Sequence, residues 1–173
     1  MPIFQLTGLS GAGKTTLASS VVEILLANGV DAVLIDGDVY RKTICKDLGF
    51  SKLDRLENIR RLGLVAHEFS SIGKTVIIAA INPYEEARIE LSKKYAAKTV
   101  WIHCDLAVLQ QRDTKGLYKK AALPDGHPDK LQFLTGVSDT YENPTNADLV
   151  IDTGRLSLED SVAILLQFIQ GIN

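Results

Sequence analysis

The chain has 173 residues, 46% of them hydrophobic, and a formal net charge of -2. That length suits a single domain, residues 1–173, built around one well-buried core. Acids and bases are interspersed, which argues against a basic nucleic-acid surface and a polybasic membrane anchor and leaves a small molecule as the expected partner.

In chain order, Ile3 to Thr7 is a short run rich in branched and apolar residues and reads as a strand. The segment Gly8-Leu9-Ser10-Gly11-Ala12-Gly13-Lys14-Thr15 follows it and opens a helical pattern, matching G-x-x-x-x-G-K-[ST] in the context that motif requires. Glycines there let successive N–H groups and the helix N-terminus face phosphates. Lys14 reaches the β- and γ-phosphates, and the Thr15 hydroxyl can ligate Mg²⁺. An ordinary glycine-rich turn would need neither the lysine nor the hydroxyl. No Asn-Lys-x-Asp run is present to read guanine, so ATP is the expected nucleotide.

Ala32 to Ile35 reads as the second strand and runs into Asp36-Gly37-Asp38. If this strand neighbours the first, two carboxylates stand beside the phosphate loop. One can orient or deprotonate an attacking hydroxyl, and the other can hold a Mg²⁺-bound water. A solvated Asp-Gly turn is the alternative. Next come Arg41, the run Lys46 to Ser51, and a long helical pattern from Asp54. Arg55, Asn58 and Arg41 can converge on an anionic, base-bearing acceptor with Phe50 as a stacking face, or this can be a solvated helix face laced by ion pairs.

Thr75 to Ile81, Thr99 to Cys104 and Leu149 to Ile151 complete five strands whose nearly continuous apolar character indicates a parallel sheet with helices on both faces. The last helical pattern places Leu158, Val162, Leu165, Leu166 and Ile169 on one face after Ser157, a candidate N-cap. Asp113 to Tyr141 lacks sustained periodicity and reads as a mobile lid, about 113–141. Arg112 at its start either approaches the ATP phosphates or adenine, or pairs with Asp113 at the surface. His67, His103 and His127 have no shared metal spacing, and Cys45 and Cys104 have no paired spacing. With no basic n-region and no apolar run reaching ~18 residues, a cytoplasmic location is expected.

Taken together, these runs resemble the adenylylsulfate kinase family, which makes 3′-phosphoadenylylsulfate from adenylylsulfate and ATP. The likeness rests on Gly8 to Thr16, Asp36-Gly37-Asp38 with Arg41, Lys46 to Ser51, Asp54 with Arg55, and Glu57 to Arg61. It continues through Pro83-Tyr84, Arg112 to Ala121, Phe133 with Thr135-Gly136, Tyr141-Glu142-x-Pro144 and Asp152-Thr153. The resemblance implies that Asp38 orients or deprotonates the acceptor 3′-hydroxyl, with Lys14 and Asp36 also catalytic. It implies that Arg41, Phe50, Arg55, Asn58 and Ile59 hold adenylylsulfate, joined from the lid by Lys115, Leu117 and Phe133. The two phenylalanines would sandwich its adenine. Thr16 and Arg112 fall on the ATP side, and a homodimer is implied. Val39, Asn82, Glu85 and a longer lid from Ala122 to Gln132 depart from the family pattern, and they are expected on the acceptor side. A related kinase acting on another activated nucleotide, such as cytidine diphosphoramidate, and a nucleotide-binding module without turnover stay open as alternatives.

Overall fold

The computed structural model describes residues 1–172. Its elements are β1 (Ile3–Thr7), α1 (Lys14–Ala27), β2 (Ala32–Asp36), α2 (Gly37–Tyr40), α3 (Lys52–Ser71), β3 (Thr75–Ala79), α4 (Glu85–Tyr95), β4 (Lys98–His103), α5 (Leu106–Arg112), α6 (Leu117–Ala121), β5 (Leu149–Asp152) and α7 (Leu158–Gln170). The strands form one five-stranded sheet in the order β2-β3-β1-β4-β5, and every pairing is parallel. This is the P-loop kinase arrangement, with an apolar layer on each face. Leu17, Val21 and Leu25 of α1 pack with Val162, Leu165 and Ile169 of α7 on one side. Leu56, Ile59 and Leu62 of α3 pack with Leu91 of α4 on the other. Every residue of β1 and β3 is buried, Gln5, Thr7 and Thr75 included, so neither strand has a solvent face and both read as nearly continuous apolar runs.

Helix starts follow local chemistry. Ser51 Oγ accepts from Asp54 N at 3.2 Å and Ser157 Oγ from Asp160 N at 3.0 Å, each satisfying a donor that the first turn leaves unpaired. In α7 the face from Val162 to Ile169 is buried as its periodicity predicts, but Leu158 is 47% exposed, because the first turn overhangs a cleft beside the phosphate loop.

The topology decides one condition left open by the sequence, and one strand end is corrected. The second strand does not neighbour the first, because β3 lies between them. The third strand ends at Ala79, and Asn82 then takes a left-handed φ of 44° that turns the chain off the sheet edge. The stretch expected to be irregular also contains α6. Asp113 caps this helix, its carboxylate accepting from Tyr118 N and Lys119 N at 3.0 Å each. Five residues are too few to show a period.

Gly8 is where the backbone has least room. A Cβ there would lie 2.3 Å from the carbonyl oxygen of Ile102 in β4. Gly8→Ala is therefore expected to lower the urea midpoint by an amount equivalent to about 1–3 kcal/mol or more, since a backbone neighbour cannot swing aside as a side chain does. An unchanged midpoint would contradict this packing.

Candidate active site

The phosphate loop closes on itself through its lysine. Lys14 Nζ donates to the carbonyls of Gly8 at 2.9 Å and Leu9 at 2.8 Å, and the residue is 8% exposed. Burial, then the nearby charge of Lys115, lower its pKa to about 8, against the opposing pull of Asp38 and Asp36. An ammonium so placed gains from a polyanion, which supplies the counter-charge that burial denies it.

Asp36 reaches this loop although β3 separates its strand from β1. Thr15 Oγ1 donates to Asp36 Oδ2 at 2.6 Å. The other carboxylate oxygen accepts from Asp38 N at 2.8 Å and Val39 N at 3.2 Å, making Asp36 the N-cap of α2. Asp36-Gly37-Asp38 is thus a strand-to-helix corner, not a free solvated turn. With its proton committed to Asp36, the Thr15 oxygen has lone pairs to offer a cation, and Asp36 stands ready to accept from a cation-bound water. The pair therefore fits Mg²⁺, which when bound would neutralise charge on the β- and γ-phosphate oxygens.

Asp38 stands at the mouth of a cavity of about 500 Å³ that gathers all nine residues expected to bind the acceptor. Asp38 and Arg41 come from α2 and its end, Phe50 from the turn before α3, and Arg55, Asn58 and Ile59 from one face of α3. Lys115, Leu117 and Phe133 come from the segment after α5. The ion-paired helix face also exists, but it is a different face. Arg61 pairs with Asp47 at 2.7 Å and Glu57 at 3.0 Å, and Arg60 with Glu90 at 3.0 Å.

Lys115 Nζ donates to Asp38 Oδ2 at 2.5 Å. Burial would raise the Asp38 pKa, but the hydrogen bond and charge of Lys115, aided by Lys14 and Arg41, outweigh it and hold the carboxyl below its ordinary value. The two side chains are 53% and 69% exposed, so the pair is worth at most about 1 kcal/mol and yields readily to a competing hydroxyl. Lys115 is placed by α6, whose Tyr118 hydroxyl donates to the Ser10 carbonyl of the phosphate loop at 2.8 Å. Sequence reasoning gave Tyr118 no role. Its 6% exposure and its contact across 108 residues are visible only in the fold.

Arg112, expected on the ATP side, makes no pair with Asp113, whose carboxylate is used by α6. Its Nη2 donates to the Thr153 carbonyl at 3.0 Å, and it lines a second cleft of about 230 Å³ with Thr16, Leu156 and Leu158. This cleft opens beside Gly13. Leu156, Leu158 and Thr153 belong to it although only the Asp152-Thr153 run marks it in the sequence.

Residues 2–152 match the family described as adenylylsulphate kinase. The chain belongs to this family. A relative of the same name from Deinococcus deserti is 45% identical over 168 residues, covering 96% of this chain and 90% of its own. The adenylylsulphate kinase of Mycobacterium tuberculosis, solved in complex with AMPPNP and APS, is 33% identical with a TM-score of 0.89, covering 98% of this chain and 99% of that one. A hexameric relative from Thiobacillus denitrificans is 27% identical with a TM-score of 0.71, covering 98% of this chain and 29% of that one.

Against this family pattern the departures of the present chain separate by position. Glu85 is not on the acceptor side. Its carboxylate accepts from Arg88 Nη2 at 2.6 Å and Thr145 Oγ1 at 2.7 Å, neutralising a buried guanidinium away from the 500 Å³ cavity. Val39 is 56% exposed and does not line that cavity either. Asn82 does line it, with Nδ2 donating to Gln5 Oε1 at 3.0 Å. The longer lid segment folds back on α6, Leu131 N donating to the Lys120 carbonyl at 3.2 Å, so that Leu131 and Gln132 border the cavity.

Proposed function

We propose that residues 1–173 act as one P-loop kinase domain that transfers the γ-phosphate of ATP to the 3′-hydroxyl of adenylylsulfate, giving 3′-phosphoadenylylsulfate and ADP. The observation that carries this reading is the placement of Asp38. It is electrostatically linked to the phosphate-loop lysine on one side and opens on the other into a cavity bearing two exposed phenylalanines and four cations, Arg41, Lys42, Arg55 and Lys115.

In the proposed reaction the 3′-hydroxyl takes the place of Lys115 on Asp38 Oδ2, and its oxygen faces the γ-phosphorus. The O3′–P bond forms as the bond from phosphorus to the β,γ-bridging oxygen breaks, and the hydroxyl proton leaves by way of Asp38. Phosphoryl transfer of this kind has a loose transition state that demands little base strength, so a carboxylate of depressed pKa is suited to orienting the hydroxyl and receiving its proton late. Lys14, and Lys115 once released, balance charge on the transferred group and the leaving oxygen. The backbone of Gly8 to Gly13 cradles the phosphates, with Leu9, Ser10 and Ala12 contributing main-chain groups, and Arg112 and Thr16 flank the ATP base cleft. Asn58 and Ile59 shape the acceptor wall, and Leu117 closes it from the lid.

Phe50 and Phe133 are 55% and 58% exposed, a costly arrangement for large apolar rings unless a flat ligand lies between them. Phe133→Ala is expected to raise the acceptor KM roughly tenfold, within the range of about 1–3 kcal/mol for losing one stacking face, and to leave the ATP KM unchanged. Equal changes in both constants would remove Phe133 from the acceptor site.

No helix among the described residues is long and apolar enough to cross a membrane. We place the enzyme in the cytoplasm, consistent with two buried, unpaired cysteines, and favour a homodimer over the hexamer of the Thiobacillus relative.

A further inference from the structure

Arg55 sits in the first turn of α3 with 5% exposure, and its guanidinium joins two segments distant in sequence. Nε donates to the Phe50 carbonyl at 3.0 Å, and Nη2 to the Phe133 carbonyl at 3.1 Å. The same Nη2 lies 2.7 Å from Asp139 Oδ2, a charge pairing without the alignment of a hydrogen bond, and these two side chains are 6% and 18% exposed. The contacts use Nε and Nη2 and leave Nη1 out. Both carbonyls belong to the phenylalanines that flank the acceptor cavity, so one planar group fixes the backbone under both rings. The guanidinium also lies over the Phe50 ring, 5.4 Å from its centroid.

What places a counter-charge beside the buried guanidinium is a turn in the lid. Leu134 O accepts from Val137 N at 3.0 Å, Ser138 N at 3.0 Å and Asp139 N at 3.1 Å, and Gly136 N donates to Asp139 O at 2.8 Å. Gly136, at φ 84°, allows the reversal that returns Asp139 towards α3. A buried arginine whose hydrogen-bond partners among the described residues are two neutral carbonyls needs a carboxylate to stay buried. Asp139 is the carboxylate that meets this need.

We infer that Asp139 is a positioning residue for the acceptor: through Arg55 it sets the spacing of the Phe50 and Phe133 walls and docks the lid on α3. The inference rests on the reading of this cavity as the acceptor site. It makes a prediction whose sign is informative. The acceptor is an anion, so if Asp139 acted only as a negative charge near the site, neutralising it would tighten acceptor binding. Acting by position, its loss loosens binding although repulsion has been removed.

The test is Asp139→Asn and Asp139→Glu, beside Asp125→Asn as a lid control whose side chain is 98% exposed. In Asp139→Asn the adenylylsulfate KM is expected to rise about tenfold or more, with kcat and the ATP KM within about threefold, because misplacing a binding wall acts on the group it positions. Asp139→Glu should recover part of the loss, and Asp125→Asn should match the unaltered protein. Hydrogen exchange gives a readout that needs no acceptor: in Asp139→Asn, protection should fall at the amides of Val137, Ser138 and the substituted residue itself and persist in α1. An acceptor KM that is unchanged or lower overturns the inference. So does a uniform loss of kcat, both KM values and thermal midpoint with no recovery in Asp139→Glu. If the unaltered protein fails to phosphorylate adenylylsulfate, the proposed function falls. Hydrogen exchange then decides Asp139 alone, with localised loss of protection supporting its role and an unchanged pattern overturning it.

Discussion

Asp38→Asn is expected to lower kcat by about 10²- to 10⁴-fold, the range for a group that receives or orients the reacting proton, while ATP binding stays within about twofold. Asparagine keeps the volume and one acceptor oxygen but removes the charge, so the loss is chemical and not steric. ATP affinity survives because the phosphate loop, Thr15 and Asp36 are untouched and the Asp36 oxygen bonded to Asp38 N uses the backbone alone. The pH dependence has a defined sign. With Lys115 on it, the Asp38 carboxyl of the free enzyme is held below its ordinary value and is ionised throughout the near-neutral range, so kcat/KM for the acceptor should not fall on the acid side until the pH drops below the ordinary 3.8. Titration calorimetry for ATP and a product-resolved assay measure the two halves of this prediction. Persistence of full activity in the variant would remove Asp38 from the reaction.

Lys14→Ala has an equally large expected effect with a different signature. The kcat should fall on the order of 10³-fold, as for loss of a preorganised cation at a transferring phosphoryl group, and ATP affinity should fall with it. In the unaltered protein Lys14 carries a pKa lowered to about 8, so kcat/KM for ATP should decline as pH rises through about 8. Bound triphosphate favours the ammonium, and the corresponding decline in kcat should therefore begin at higher pH. A kcat/KM profile flat well above that value would contradict the burial of Lys14 as the cause of its shift.

Much of this architecture is legible from residues that act locally. The phosphate loop is contiguous, the five strands are short apolar runs bounded by turns, and Ser51 and Ser157 cap helices through atoms three residues away. The candidates from Asp38 to Asn58 lie close enough in sequence to suggest one site, but it is the family resemblance that favours this over a solvated helix face and adds Ile59. What escapes is set by contacts across the chain. Asp139 lies among polar turn residues, and only the fold brings it 2.7 Å from Arg55. Glu85 shows the opposite error. Next to Pro83-Tyr84 it reads as part of the acceptor wall, yet α4 turns its carboxylate onto Arg88 and Thr145, so its negative charge opposes a buried arginine and not the acceptor. Asp36 combines both lessons, since it reaches Thr15 at 2.6 Å even though the sequence does not reveal the strand between them.

The central claim is the identity of the acceptor, and the most direct test is incubation of the purified protein with ATP, Mg²⁺ and adenylylsulfate, resolving ADP and the nucleotide product. The account predicts 3′-phosphoadenylylsulfate formed in equal amount with ADP, with cytidine diphosphoramidate left unmodified in a parallel reaction. Turnover of cytidine diphosphoramidate with no product from adenylylsulfate would contradict it.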